Sequence, residues 1–391
     1  MPRTRALLDL AGAPDRRMTC VLVAGTKGKG STAALLASVL HAAGVRAGLY
    51  TSPHLQSWRE RIRVDGMAVA PRAFERAMRA AAGLVPALRR DRALGEPSAF
   101  ELLTVAALTR FAREKCAVAI LEVGLGGRFD ATNAVEPALS IVTLIDLDHR
   151  AILGSTLARI AREKAGVLRR DRPALLARQR PAAERALRAE CERVGARCAT
   201  IVPVARGTPL GLAGDHQRQN AGLARAAARA LGARGLPMRP GGIARGLRDA
   251  RWPGRLERVG DAPDVVLDGA HTEGSAAALA SELSRRAGTI HLVFGCTADR
   301  DARRIARPLL ARGARVYATA AGPRALPPEQ VARAVGRAAV GAYGSVGEAI
   351  AAARAAARPR EAVCVTGSLA LVGAARDALG LPVAEDLFAP R

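Results

Sequence analysis

Between Val21 and Leu40 the chain reads VLVAGTKGKGSTAALLASVL, an apolar run, then a glycine-rich turn, then a helical pattern. Gly25, Thr26, Lys27, Gly28, Lys29, Gly30, Ser31 and Thr32 make the turn. Successive N–H groups from Gly25 to Ser31 can curl around a phosphate, Lys29 adds a point charge, and Ser31 can offer a hydroxyl to Mg²⁺. Gly30 separates lysine from serine, so the string departs by one residue from the standard phosphate loop. Other chemistry-bearing groups fall at the ends of apolar runs. Glu122 ends AVAILE, where an acidic group can ligate Mg²⁺ or simply form a salt bridge. Ser52 and His54, in TSPHL, reach the same edge or serve as ordinary turn residues. His149, in DLDH, either completes a metal shell or is incidental. Arg128 and Asp130, in the loop GLGGRFDATN, can hold something polar.

Only four of the 60 basic residues are lysines, at 27, 29, 115 and 164. Where a chain otherwise uses arginine, a lysine suggests a need for a compact or titratable amine. Two of the four lie in the glycine loop. Lys115, at a helix end, reads as chance.

These residues need a frame that brings strand ends together. The spacing predicts a short helix over 4–12, a strand over Thr19–Ala24, a helix over Ser31–Ala43 closed by Gly44, and a strand over Val45–Tyr50. Helices over Arg72–Leu88 and Ala99–Lys115 follow, then strands over Ala117–Val123 and Leu139–Ile145, and a helix that Ser155 or Thr156 can cap, that carries Lys164 and that stops near Gly166. This order implies a parallel sheet covered by helices on both faces. Asp215–Asn220 reads as the capped start of an alanine-rich helix. Trp252–Glu257 (WPGRLE) reads as a linker. Beyond it strands over Asp264–Leu267, His291–Phe294, Arg315–Thr319 and Ala362–Thr366 predict a smaller Rossmann-like α/β domain. No GxGxxG follows its first strand, which argues against nicotinamide binding. The expected division is an ATP-binding domain over 1–250 and a second domain over 251–391.

With 391 residues, two domains are the default, and neither a long apolar run nor a secretory signal pattern is present, so a cytoplasmic enzyme is expected. The six cysteines show no metal-ligand spacing, which predicts buried free thiols and neither disulfides nor zinc. The net charge of +25 invites a nucleic-acid reading, but aromatics are only 3 % and the arginines are spread along the whole chain, which favours compositional bias.

Taken together, GTKGKGS, YTSPHL with RERI, FELLT, EVGLGGRFDATN, DLDH, LGST with IAREKAG, HQRQN, PGR, DGAH and VTGSLALVG resemble the folylpolyglutamate synthase and dihydrofolate synthase family of the Mur ligase superfamily. The resemblance covers nearly the whole chain. It implies that Gly25–Thr32 hold the ATP phosphates, and that Ser31, Ser52, Glu122 and His149 contact Mg²⁺, with two ions in all. Asn220 would reach the adenine side; Arg255, Asp268 and His271 would reach the nucleotide from the linker and second domain. Lys164 matches the lysine that the family carbamylates, a change that turns an ammonium into an anionic metal ligand. Thr51, Phe129 and Asp130 would meet the pteroyl substrate. The catalytic set implied is Lys29, Lys164, His149 and Arg255.

The implied reaction is ATP-dependent ligation of L-glutamate to dihydropteroate or a reduced folate through an acyl phosphate, by a monomer. The chain departs from the family pattern at Lys27 and Thr272, where asparagine is usual, in a short leader, and in a short 203–213 segment. Alternatives are a Mur-type ligase for another acceptor and a basic ATP-dependent nucleic-acid-binding protein.

Overall fold

The computed structural model describes residues 1–260, 263–285 and 288–388. Strands buried on both faces need unbroken apolar runs, and the chain supplies them at β1 (Thr19–Ala24), β2 (Ala47–Tyr50), β5 (Val118–Glu122), β6 (Leu139–Val142) and β7 (Pro173–Ala177). Short β3 (Ile62–Val64) and β4 (Met67–Ala68) and the edge strand β8 (Arg197–Ile201) complete a sheet of order β4-β3-β2-β5-β1-β6-β7-β8 among the described residues. All pairings are parallel except β2 with β3 and β3 with β4. Because β1 sits between β5 and β6, the loops that leave these three strands gather at one carboxyl edge, the usual place for a ligand in an open α/β sheet.

The helix Lys29–Ala42 is buried continuously from Ser31 to Leu40, so it lies inside the domain rather than on its surface. Gly246 makes this possible: a Cβ there would lie 2.3 Å from Val39 Cα, and Ser38 Oγ donates to Gly246 O at 2.8 Å. The helix begins two residues earlier than its periodicity suggests, because Gly28 adopts φ 88 at its cap.

The second sheet contains β9 (Glu257–Val259), β10 (Asp264–Leu267), β11 (Ile290–Phe294), β12 (Arg315–Ala318), β13 (Ala339–Ala342) and β14 (Ala362–Thr366), in order β13-β12-β11-β14-β10-β9. Only β9 runs antiparallel. Two α/β domains are thus present, each with a parallel-dominated sheet. β9 and β13 carry short, weakly apolar sequences and are not legible as strands. The last described residues return to the first sheet, where Ala68 N–H donates to Glu385 O at 2.7 Å and Leu387 is buried.

The helix expected from a Ser155 or Thr156 cap to near Gly166 is present over Leu157–Lys164, capped by Thr156, and runs into a 3-10 turn over Ala165–Val167. Two local expectations need correction. The helix Gln217–Gly232 starts at His216 with no side-chain cap bond. Cys191 and Cys198 form a disulfide, joining a helix end to β8, whereas Cys20, Cys116, Cys296 and Cys364 are buried free thiols. No described helix is long and apolar enough to cross a membrane.

Candidate active site

The glycine loop is fixed from below before it meets any ligand. Gly25 has φ 136, and a Cβ there would sit 1.9 Å from Thr143 Oγ1. The N–H groups of Thr26 and Lys27 both donate to Leu144 O, at 2.9 and 3.0 Å, and Thr26 Oγ1 donates to Asp146 O at 3.2 Å. These two N–H groups are spent on the neighbouring strand end, so the expected nest narrows to Gly28 and the first turn at Lys29, Gly30 and Ser31. Thr32 N–H returns to Gly28 O, and its buried Oγ1 has no partner. Asn220, expected toward a base, packs against the loop: a Cβ on Gly28 would lie 2.3 Å from its Oδ1. Its neighbour Gln217 donates to Ser31 Oγ at 3.3 Å and accepts from Asn220 at 2.8 Å.

Glu122 ends β5 directly beside β1, where it pairs with Val23. Its one hydrogen bond among the described residues comes from Ser52 N–H at 3.2 Å. Burial pushes its carboxyl above the ordinary value, and the charge of Lys29 opposes that shift. A Cβ on Gly30 would lie 3.4 Å from Glu122 Oε2 and 3.1 Å from Trp252 Nε1. The loop, the acid and the linker therefore close on one glycine. The Ser52–Pro53 bond is cis. His54 Nδ1 accepts from Arg61 Nε at 2.9 Å and is committed to its own loop.

Among the described residues no three His, Cys, Asp or Glu side chains gather into a metal cage. Of the residues expected to contact a metal, Glu122 and Ser52 line one cleft, and a buried carboxylate with a hydroxyl suits a hard cation that keeps waters and phosphate oxygens in its shell, as Mg²⁺ does.

Asp148, which the sequence alone did not single out, is a hub. It pairs with Lys27 Nζ at 3.1 Å and with Arg300 Nη1 of the second domain at 2.8 Å, and His271 Nε2 lies 3.9 Å away. Burial works against its charge, but Lys27 and Arg300 outweigh this and hold the carboxyl well below the usual range. His149 follows it at φ 48 and is half-exposed, with Nε2 4.0 Å from Asp148 Oδ1.

Lys164 ends its helix 4 % exposed, and a Cβ on Gly127 would lie 2.7 Å from Lys164 O. Burial, helped by the charge of Lys29, lowers its amine to about 7. Asp130, in the same loop, is not open to a ligand. Its Oδ1 accepts from Thr132 N–H and Oγ1 at 2.9 and 2.6 Å, and its Oδ2 accepts from Leu125 N–H at 2.9 Å. Phe129 beside it is 75 % exposed. Thr51 is buried and donates its N–H to Arg61 O at 3.1 Å.

From the second domain, Arg255 enters a narrow cleft of about 40 Å³ whose walls include Gly30, Thr51, Ser52, Glu122 and Trp252. Asp268 does not point there: its oxygens accept from Leu256 and Ala270 N–H, both at 2.9 Å, and hold the linker beside Arg255. His271 Nδ1 faces Gly269 O at 2.8 Å, and burial lowers its imidazole to about 3, so it is neutral at pH 7. Gln217, Asp148, Arg300 and Trp252 are the residues the sequence reading missed. Gln217 lies inside HQRQN and Asp148 inside DLDH, so motif membership was a usable signal for these two.

Residues 254–369 match the Mur ligase, glutamate ligase domain family. The dihydrofolate synthase/folylpolyglutamate synthase of Bacillus subtilis is 35% identical over 76% of this chain and 75% of its own length. A probable bifunctional folylpolyglutamate synthase/dihydropteroate synthase of Haloferax volcanii is 37% identical over 95% of this chain, which spans only 47% of that longer protein. Among solved structures, a Mycobacterium tuberculosis folylpolyglutamate synthase complexed with ADP superposes with a TM-score of 0.89 at 33% identity, covering 98% of this chain and 95% of that one.

Proposed function

This chain belongs to the folylpolyglutamate synthase and dihydrofolate synthase family of the Mur ligase superfamily, and from that premise we propose that it is an ATP-dependent ligase joining L-glutamate to a pteroyl carboxylate, either dihydropteroate or a reduced folate. The observation that carries the reading is Lys164, a buried amine lowered to about 7 at the edge of the phosphate site. Simple ATP hydrolysis has no use for such a group. A ligase does, because its acceptor carboxylate must be brought against the γ-phosphate while both are negative.

In this reading the helix N-terminus at Lys29–Ser31 and the ammonium of Lys29 cradle the β- and γ-phosphates, with Thr32 closing the turn. Ser31, Ser52, Glu122 and His149 would hold Mg²⁺, and Lys164, if carbamylated, would supply an anion for a second ion. Bound there, the metal neutralises charge on the phosphates and on the acceptor. Arg255 enters from the linker and offsets charge on the transferring phosphoryl group. The acceptor carboxylate displaces ADP and becomes an acyl phosphate. The amine of glutamate then attacks its carbonyl, and the tetrahedral adduct collapses to an amide with loss of phosphate and a proton. Thr51 and Phe129 face the pteroyl group. Asp130 shapes the loop that presents it, Asn220 buttresses the phosphate loop, and Asp268 and His271 position Arg255 and the second-domain face.

We take 1–250 as the ATP-binding domain and 251–391 as the glutamate-ligase domain. Both contribute to one site within one chain, which fits a monomer; the four buried free thiols fit a cytoplasmic enzyme, whereas the Cys191–Cys198 disulfide does not. The test is product analysis by mass spectrometry after incubation with ATP, Mg²⁺, glutamate and either dihydropteroate or tetrahydrofolate. ADP, phosphate and a product heavier by one glutamyl residue are expected only in the complete mixture. ATP turnover that ignores either glutamate or the pteroyl acid would sink the reading.

A further inference from the structure

A second cavity, of about 290 Å³, opens beside the loop that carries Phe129 and is lined by Arg128, Ile152, Leu153, Arg159, Arg162 and Glu163. It holds three guanidiniums against one carboxylate. Arg128 is partly engaged, at 3.5 Å from Arg162 O and 3.9 Å from Glu190. Arg159 and Arg162 are exposed and have no ion-pair partner among the described residues. This contrasts with Arg188 and Arg193 on the neighbouring helix, which pair with Glu184 and Glu190.

Placement ties the cavity to the proposed reaction. Arg159 and Arg162 lie three residues apart on the helix that ends at Lys164, so their side chains share one face. Ile152, 70 % exposed, belongs to the helical turn that follows His149, about 5 Å further along at the rise of a helix. Exposed Phe129 follows in sequence Arg128, which lines the cavity. An extended substrate whose reacting end lies near His149 and Lys164 would pass Ile152 and then meet two unpaired cations.

We propose that this cavity is a subsite for the α-carboxylates of a γ-linked glutamyl chain, so that Arg159 and Arg162 favour acceptors that already carry several glutamates. The inference rests on the ligase reading above. A γ-glutamyl chain carries one α-carboxylate per residue, spaced by two methylenes and an amide, which matches guanidiniums bordered by the apolar side chains of Ile152 and Leu153. Exposed arginine–carboxylate contacts are individually weak, up to about fivefold each in affinity, so the effect should be graded rather than absolute.

The experiment is steady-state ligation with tetrahydrofolate carrying one or three glutamates, by the unaltered enzyme and by Arg159→Ala/Arg162→Ala. The variant should raise KM for the triglutamyl acceptor about tenfold, change KM for the monoglutamyl acceptor less than twofold, and leave kcat on the latter intact. Arg159→Lys/Arg162→Lys should keep most of the preference, and added salt should erode it in the unaltered enzyme but not in the alanine variant. Equal changes in both KM values, or none, would overturn the subsite while leaving the ligase reading standing. Failure of the unaltered enzyme to extend either acceptor would overturn the ligase reading and the subsite with it. A preference lost equally to competition by RNA and by poly-γ-glutamate would mark a general polyanion surface and overturn the assignment.

Discussion

Replacing Lys164 with methionine should stabilise the protein and abolish its ligase activity. The buried amine falls from 10.5 to about 7. At about 1.4 kcal/mol for each pH unit, holding the charged amine in this site costs about 5 kcal/mol at pH 6 and below. The unfolded chain keeps the proton up to about pH 10.5 and the folded chain releases it above about 7, so the unfolded state binds more protons between those values. Stability therefore rises with pH across that window, and the penalty is absent above it. Lys164→Met, of similar volume and uncharged, should gain several kcal/mol at pH 6 relative to the natural chain, with the gain shrinking toward zero near pH 10.5. The same shift has a chemical use. Only a neutral amine adds CO₂, and at pH 7 about half of this lysine is neutral, against about one in three thousand for an ordinary one. Urea unfolding at pH 6, 8 and 10 in CO₂-free buffer measures the first effect. ¹³C-bicarbonate NMR and ligation assays with and without bicarbonate measure the second. A stability difference that does not change with pH, or a methionine variant that still ligates, would refute the argument. Lys164→Arg should likewise bind ATP without turning it over.

Two further outcomes follow from local geometry. Gly30→Ala should lower kcat about tenfold with the fold intact, because its Cβ would crowd Trp252 Nε1 at 3.1 Å and Glu122 Oε2 at 3.4 Å, and small misplacements at a reaction centre are costly; restoring room with Trp252→Phe should recover part of the loss, and an unimpaired Gly30→Ala enzyme would contradict this. Reducing the Cys191–Cys198 bridge, or replacing Cys191 with serine, should cost about 2 kcal/mol, the loop-closure value for a bridge spanning seven positions; urea midpoints that do not differ between oxidised and reduced protein would show that the bridge adds nothing.

What the sequence made legible was whatever depends on neighbours along the chain. β1 was readable to the residue because a six-residue apolar run ends at a glycine, and Glu122 was readable as a strand-end acid for the same reason. Lys164 stood out because arginine is used almost everywhere else. What stayed hidden depends on distant partners. Gln217 reaches Ser31 across 186 positions, and Arg300 reaches Asp148 from the other domain across 152. The carboxylates show the converse error. Asp130 reads as a ligand contact from its glycine loop and Asp268 from the family resemblance, but each spends both oxygens on nearby backbone N–H groups. Such a turn has a local signature, since Asp130 is followed two residues later by Thr132, the spacing of an Asx turn. An acid that organises its own turn is a weaker candidate for ligand binding than an acid such as Glu122, which is buried at a strand end with one N–H donor.

The same contrast explains why the phosphate loop carries one glycine more than an ordinary nucleotide loop. A plain ATPase needs its loop to touch phosphate and metal. Here Gly30 must also admit the indole of Trp252, three residues before Arg255, so the linker rests on the helix N-terminus that faces the phosphates. Asp268 fixes the other end of the linker by holding Leu256 N–H, and Asp148 ties Arg300 of the second domain to Lys27 of the loop. The loop thus meets the linker directly, at Gly30 and Trp252, and meets the second domain indirectly, through the Lys27–Asp148–Arg300 chain. On the proposed reaction, a movement of the second domain would carry Trp252 and Arg300 with it and so act on the glycine loop, which would couple phosphoryl transfer to delivery of the amine. The added glycine is the room this coupling needs, because any Cβ at that position would hold Trp252 and Glu122 apart.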